Sequence, residues 1–120
     1  MMRTMLKSKI SYALVTEAQL HYKGSITIDE DLMEAADIVE HEQVSVLNMN
    51  NGNRFDTYAI KGKRQSGVIC LNGPAARLGC VGDRVVILTY ALYGNDELKK
   101  FKTTLVELNE RNKIKNTRLA

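Results

Sequence analysis

The Gly24–Ser25 pair could carry out covalent chemistry on the protein's own backbone. A serine hydroxyl that follows glycine can attack the preceding carbonyl, because glycine leaves that carbonyl unshielded and permits strained backbone angles. This N→O acyl shift produces an ester. β-Elimination then yields dehydroalanine, which hydrolyses to a pyruvoyl group at the head of a new chain. Most Gly-Ser pairs are ordinary turns, so only the surrounding sequence can indicate whether this pair is reactive.

Other patterns typical of catalysis or metal binding are absent. His21 and His41 lack the sequence context of a catalytic triad, and we interpret them as surface or structural residues. Neither GxxxxGK[ST] nor GxGxxG occurs. Cys70 and Cys80 have no CxxC spacing and no nearby His pair, so we predict no metal site. We interpret both cysteines as buried free thiols.

Several blocks of sequence surround the Gly-Ser pair in a recognisable order. They are Arg3-Thr4-Met5-Leu6 with Lys9-Ile10, Leu20-His21-Tyr22-x-Gly24-Ser25-Ile26-x-Ile28-Asp29, Asn51-Gly52-x-Arg54-Phe55-x-Thr57-Tyr58, and Leu71-Asn72-Gly73-Pro74-Ala75-Ala76-Arg77 followed by Val81-Gly82-Asp83. In type and spacing they resemble the bacterial aspartate 1-decarboxylase family. The resemblance covers residues 3–92 and does not extend firmly past about residue 95.

The resemblance implies both a fold and a reaction. The fold would be mainly β, a six-stranded double-psi β-barrel with short helices, assembled as a homotetramer. The proenzyme would cleave itself into residues 1–24 and residues 25–120. Its cofactor would be the pyruvoyl group derived from Ser25, with no metal. The reaction would convert L-aspartate into β-alanine and CO₂, which supplies the synthesis of pantothenate and coenzyme A.

Two cations are candidate ligands for the two carboxylates of aspartate. Decarboxylation leaves a carbanion, and a pyruvoyl ketone at Ser25 would accept its electrons through a Schiff base with the substrate amine. Arg54 offers a planar fork that suits a carboxylate, and Lys9 offers a second point charge. Which carboxylate each one meets stays open.

The start of a predicted helix could add backbone donors to the same site. Gly73 and Ala75 have N–H groups at its N-terminus, where the helix dipole favours an anion, and Pro74 needs none at this position. Position 74 is often alanine in the family, and position 11 is often histidine where this chain has Ser11. Neither change removes a group that the mechanism requires.

Thr57 and Tyr58 are adjacent in a predicted strand, so they point to opposite faces. Both can border one site only where a strand ends or where two subunits meet. The resemblance makes Thr57 a substrate contact and a helper in self-cleavage, with its hydroxyl on the carbonyl of Gly24. It makes Tyr58 the proton donor to the carbanion.

The elements that must position these residues are short and separated by turns, which favours a small closed β-barrel. Asp29 is predicted to cap a helix over residues 29–36, and Asn50-Asn51-Gly52-Asn53 to turn a hairpin. Residues 72–79 predict a compact helix with proline at its first position. Strands are predicted over residues 9–16, 26–28, 43–49, 54–61, 67–71, 84–90 and 103–108.

Length and charge set the broad class. A chain of 120 residues favours one domain, and its longest apolar stretch, Val85–Leu92, is too short to span a membrane. With no signal peptide visible, we expect a cytoplasmic protein without membrane or nucleic-acid partners.

The net charge of +3 divides into −2 for residues 1–97 and +5 for residues 98–120. We interpret residues 96–120 as a variable basic tail. The alternative is a non-catalytic β-barrel binding module whose tail contacts nucleic acid.

Overall fold

The computed structural model describes residues 1–120, and most of its regular structure is β-strand. The strands are β1 (Met2–Leu14), β2 (Glu17–Gln19), β3 (Ser25–Asp29), β4 (Gln43–Asn48), β5 (Arg54–Gly62), β6 (Ile69–Asn72), β7 (Arg84–Gly94), β8 (Thr104–Leu108) and β9 (Ile114–Leu119). The helices are α1 (Glu30–Ala35), α2 (Asn95–Leu98) and the 3₁₀ helix Gly73–Arg77. None of these helices has the length and apolarity needed to cross a bilayer. The prediction of a mainly β fold with short helices is confirmed.

The strands form one sheet in the order β2-β6-β3-β5-β4-β7-β1-β8-β9. β2 lies at one end of this order, yet it follows β1 in the chain almost immediately. In the link between them, the Thr16 N–H donates to the carbonyl of Ile69 in β6 at 2.9 Å. The continuous β1–β2 segment therefore contacts both β6 and β7, which closes the strands from β6 to β1 on themselves. This closure is consistent with a small double-psi β-barrel.

β3 carries the Gly24–Ser25 junction and lies inside the sheet. It pairs in parallel with β5 and antiparallel with β6, so both of its edges are hydrogen-bonded. Ile26 and Ile28 are fully buried in the hydrophobic core. Ser25, at the start of the strand, is also fully buried. Because a buried hydroxyl is unfavourable without hydrogen bonds, the partners of Ser25 matter for the fold as well as for chemistry.

The predicted cap at Asp29 is confirmed. Its side chain accepts a hydrogen bond from the Asp31 N–H at 2.8 Å, and α1 begins at the next residue, Glu30. The second carboxylate oxygen of Asp29 accepts from the Gly67 N–H at 2.8 Å. One buried carboxylate thus joins the end of β3 to the turn that precedes β6.

The predicted hairpin is confirmed as well, since β4 and β5 pair antiparallel on either side of it. Gly52 in the turn has a φ of +79°, which favours glycine. The compact helix predicted over residues 72–79 is shorter in the structure, where it is the 3₁₀ helix Gly73–Arg77 with Pro74 in its first turn.

The ends of the chain contain more structure than the sequence predicted. β1 begins at Met2 rather than Lys9, because its first half pairs with the extended end of β7. At the other end, β8 confirms the predicted strand, and β9 adds an exposed edge strand that was not predicted. The residues of the basic tail therefore extend the sheet beside β1.

Candidate active site

The Ser25 hydroxyl lies at the buried start of β3, directly after Gly24. It accepts a hydrogen bond from the side-chain nitrogen Nδ2 of Asn72 at 2.8 Å. The Ser25 hydroxyl itself donates to the carbonyl oxygen of Lys23, at a longer distance of 3.4 Å. The hydroxyl oxygen is thus held by a strong contact, whereas its proton is held weakly.

The sequence includes Asn72 in one of the blocks that carry the resemblance, but no role at the site was predicted for it. β6 pairs antiparallel with β3, and this register sets Asn72 directly opposite Ser25. Asn72 Nδ2 also donates to the Thr27 hydroxyl at 2.9 Å, so both N–H bonds of the amide donate to side chains of β3. Asn72 makes no side-chain cap for the 3₁₀ helix. The pairing of two strands far apart in sequence is the only signal that could have identified this contact.

Gly73 brings a second backbone segment against the junction. A Cβ at Gly73 would lie 2.7 Å from the Tyr22 carbonyl oxygen and 2.9 Å from both the Cα and the N of Gly24. Its φ is +62°, a conformation that other residues rarely adopt. Glycine is therefore required at position 73 for two independent reasons, and the start of the 3₁₀ helix packs directly onto the residue that precedes Ser25.

An open cavity of about 330 Å³ lies beside Gly24, on the N-terminal side of the buried Ser25. It brings together many of the residues that the resemblance singles out, on three separate segments of the chain. Its lining residues are Gly24, Phe55, Asp56, Thr57, Tyr58, Pro74, Ala75 and Leu78. Thus Gly24, both members of the Thr57–Tyr58 pair and two residues of the 3₁₀ helix share one cavity.

Thr57 and Tyr58 both reach this cavity because β5 is only partly covered. On its β3 side, the first paired residue of β5 is Ala59, opposite Ile26. The preceding half of β5 extends past the start of β3 and has no strand on that side. The site therefore lies at a strand end, one of the two situations in which both side chains could border it.

The two candidate cations lie elsewhere in the single chain. Lys9 lines a separate cavity of about 260 Å³ together with Ser11 and Arg118. Arg54 lines a cavity of about 380 Å³ at the β4–β5 hairpin, and its guanidinium donates to the Tyr90 hydroxyl at 3.3 Å. The only charged side chain lining the cavity beside Gly24 is Asp56, an acid.

The two cysteines differ in their surroundings. Cys70 is a buried free thiol as predicted, and its Sγ donates to Asn72 Oδ1 at 3.2 Å. Burial and the nearby Glu17 carboxylate raise the pKa of this thiol. The prediction of burial is wrong for Cys80, which is free but exposed in the turn after the 3₁₀ helix. The charge of Asp83 and its hydrogen bond with Cys80 raise the pKa of the Cys80 thiol. No cluster of three or more His, Cys, Asp or Glu side chains could hold a metal ion.

Comparison with known proteins identifies the class to which this fold and site belong. The family model described as aspartate decarboxylase matches residues 1–115. The chain is thus a member of a decarboxylase family, a class of carbon–carbon lyases. It belongs to the aspartate decarboxylase family, as the resemblance implied, and the match includes β8 and most of the tail.

Curated relatives agree with this assignment. The chain is 59% identical over 113 residues to the aspartate 1-decarboxylase of Acetivibrio thermocellus, covering 94% of this chain and 90% of the relative. It is 57% identical over 113 residues to that of Thermoanaerobacter pseudethanolicus, covering 94% and 97%. For Clostridium beijerinckii the identity is 56% over 115 residues, covering 96% and 93%. These matches give no support to the alternative of a non-catalytic binding module.

Proposed function

We propose that this protein converts L-aspartate into β-alanine and CO₂, and that it becomes active by cleaving itself between Gly24 and Ser25. The reaction is supported by its family and by relatives of 56–59% identity named aspartate 1-decarboxylase. β-Alanine made in this way would supply pantothenate and coenzyme A synthesis. The observation that carries the proposal of self-cleavage is the buried Ser25 hydroxyl, held by Asn72 beside an accessible Gly24.

Self-cleavage proceeds by bonds that can be followed atom by atom. The Ser25 oxygen forms a bond to the Gly24 carbonyl carbon, the peptide C–N bond breaks, and the hydroxyl proton ends on the Ser25 nitrogen. Loss of the Ser25 α-proton then forms the Cα=Cβ double bond and breaks the Cβ–Oγ bond, which releases residues 1–24 with a free carboxylate. One water adds to the remaining dehydroalanine, ammonia leaves, and residues 25–120 carry the pyruvoyl group.

The residues at the junction suit the first of these steps. The 2.8 Å bond from Asn72 fixes the position of the Ser25 oxygen, and the weak contact to Lys23 leaves its proton transferable. Thr57 lines the same cavity as Gly24, and its hydroxyl acts as the donor to the carbonyl oxygen of Gly24 as negative charge develops there. Gly73 holds the backbone before the scissile bond in place.

The same cavity would serve the mature enzyme. A pyruvoyl group at Ser25 supplies an electron sink for decarboxylation. Tyr58 acts as the general acid that protonates the substrate carbon after CO₂ leaves. Pro74 and Ala75 of the 3₁₀ helix also line this cavity. Pro74 would contact the substrate, and the backbone N–H groups of Gly73 and Ala75 would be donors to one of its carboxylates.

A homotetramer would complete the substrate site. L-Aspartate has two carboxylates, yet the cavity beside Gly24 is lined by one acidic side chain and no cation. Lys9 and Arg54 line other cavities of the same chain. We therefore assign substrate binding to Lys9 and Arg54 acting across subunit boundaries, where a neighbouring copy brings them to the cavity.

Mass spectrometry tests self-cleavage. Denatured protein should give two chains, residues 1–24 and a pyruvoyl-headed chain of residues 25–120. Ser25→Ala removes the nucleophile and should give a single chain that forms no β-alanine. Ser66→Ala, in an exposed turn, is the matched control and should cleave like the parent. Two chains from Ser25→Ala would overturn the proposal.

Subunit complementation tests the shared site. Ser25→Ala and Arg54→Ala should each be inactive alone, because one lacks the pyruvoyl group and the other lacks a substrate ligand. Coexpressed, they should form mixed tetramers in which part of the β-alanine activity returns. Light scattering gives the oligomeric state of each sample. A monomer that turns over aspartate at the parental rate would contradict the shared site.

A further inference from the structure

The Cys70 thiol is a buried group to which the proposed mechanism gives no role. Cys70 and Asn72 are two residues apart on β6, so their side chains lie on the same face of the strand. The thiol donates to Asn72 Oδ1 at 3.2 Å, and this is the only hydrogen bond to that oxygen. At the other end of the amide, Nδ2 donates to the hydroxyls of Ser25 and Thr27.

An asparagine amide can be rotated by half a turn with little change in shape, because its oxygen and nitrogen are similar in size. With Oδ1 towards β3, the amide would accept the proton of the Ser25 hydroxyl instead of donating to its oxygen. Ser25 and Thr27 can act as donor or acceptor, so neither selects an orientation. The thiol is a donor and a poor acceptor, so it favours Oδ1 on its own side.

We propose that Cys70 is a positioning residue for self-cleavage, holding the Asn72 amide with Nδ2 aimed at the Ser25 hydroxyl. This inference rests on the self-cleavage proposed above. It assigns Cys70 an effect on the nucleophile through Asn72, without contact with the scissile bond. The surroundings keep the thiol in its donor form, because burial and the Glu17 carboxylate, opposite Cys70 on β2, both raise its pKa.

Four variants separate hydrogen bonding from packing. Cys70→Val and Cys70→Ala both remove the donor. The valine side chain is similar in volume to that of cysteine, and the alanine side chain is smaller. Cys70→Ser keeps a donor at nearly the same place. Cys80→Ala is the matched control, because Cys80 is the other free thiol, is exposed and makes no contact with Asn72. The rate of conversion from one chain to two, followed by mass, is the principal measurement.

We expect Cys70→Val and Cys70→Ala to cleave about tenfold more slowly than the parent, the effect of losing one buried hydrogen bond. Cys80→Ala should cleave at close to the parental rate. Cys70→Ser should cleave at a rate between those of the parent and Cys70→Val, because its hydroxyl keeps a donor but can also accept. The free energy of unfolding is measured for each Cys70 variant in the uncleavable Ser25→Ala chain, so that all samples have the same covalent structure. The order of cleavage rates should follow the presence of a donor rather than this stability.

Three results would overturn the inference. Cys70→Val could cleave as fast as the parent, Cys70→Ser could cleave as slowly as Cys70→Val, or the cleavage rates could follow the free energy of unfolding alone. Each of these leaves the proposed function intact, provided that the parent cleaves. A parent chain that never cleaves would overturn the proposed function and the role of Cys70 with it.

Discussion

Gly73 touches the backbone of Tyr22 so closely that a Cβ on Gly73 would lie 2.7 Å from the Tyr22 carbonyl oxygen. These two residues are far apart in sequence and meet because β6 pairs with β3. The contact fixes the segment that leads into Gly24 against the start of the 3₁₀ helix. The geometry before the scissile bond therefore depends on a residue whose only relevant property is that it has no side chain.

Gly73→Ala should destabilise the protein and stop self-cleavage. The added methyl group meets backbone atoms that cannot move aside independently, and the φ of +62° is also unfavourable for alanine. We expect the free energy of unfolding, measured with urea, to fall by more than about 2 kcal/mol. Mass spectrometry should find an uncleaved chain.

Gly82→Ala is the control that separates backbone strain from close contact. Gly82 has a φ of +96°, but nothing lies within 4 Å of a Cβ placed there. This variant should lose only about 1–2 kcal/mol of stability and should still cleave. Equal effects of the two substitutions would contradict the importance of the Gly73–Tyr22 contact.

Tyr58→Phe should separate turnover from maturation. The substitution deletes only the hydroxyl and keeps the ring, which packs edge-on against His41 with the ring centroids 6.0 Å apart. We expect the variant to cleave normally into two chains. It should then form β-alanine at least about a hundredfold more slowly, because a positioned general acid is lost. Normal turnover would mean that the proton comes from water or from another residue.

Thr57→Val should have the opposite effect. Valine is close to threonine in shape but cannot donate to the Gly24 carbonyl oxygen. We therefore expect this variant to stall as the uncleaved chain or the ester. The ester has the mass of the uncleaved chain but is cut by hydroxylamine, which distinguishes the two. Maturation at the parental rate would remove the oxyanion role of Thr57.

Asn112→Ala should destabilise the fold from within the basic tail. The Asn112 side chain is buried, accepts from the Leu14 N–H at 2.7 Å, and donates to the carbonyls of Leu14 and Gly67 at 2.8 and 2.7 Å. Its loss leaves one buried and two partly buried backbone groups without these partners, so the free energy of unfolding should fall by about 3 kcal/mol.

Lys115→Ala is the matched control in the same tail. Lys115 lies on the exposed strand β9, so its removal should change the free energy of unfolding by less than about 0.5 kcal/mol. If both variants unfolded like the parent in urea, the tail would be attached to the barrel less firmly than the Asn112 contacts indicate.

Asp83 should contribute to acid sensitivity. The hydrogen bond from the Asn48 side chain, joined by one from the Cys80 N–H, lowers the pKa of the Asp83 carboxyl below its ordinary value of 3.8. Because the folded-state pKa is lowered, the stabilisation is present at neutral pH and is lost as the pH falls through that folded-state pKa. Asp83→Asn should therefore show a shallower loss of stability between about pH 5 and pH 2 than the parent.

Asp96→Asn provides the comparison for this prediction. Asp96 is exposed in the first turn of α2, and its substitution should leave the acid dependence nearly parental. Urea unfolding at a series of pH values measures both variants. Parallel curves for Asp83→Asn and the parent would exclude a contribution from Asp83.

The sequence alone determined the features that depend on neighbouring residues. The Asp29 cap, the turn at Gly52 and the proline at the start of the 3₁₀ helix follow from local hydrogen bonding and φ preferences. The resemblance was equally accessible, because it rests on residue types at fixed spacing, and the family match confirms it. The resemblance did not extend into the tail, because the short motifs end before it, although the family match continues to residue 115.

Only the tertiary structure decided which residues meet at Ser25. Asn72 contacts the Ser25 hydroxyl because β6 and β3 pair in one particular register, and a shift by one residue would turn the amide to the other face. The same pairing makes Cys70 a neighbour of the site. Conversely, Lys9 and Arg54 both carry a positive charge but line different cavities of the chain. Contacts of this kind depend on strand order and register, which arise from packing the whole core and not from any local preference.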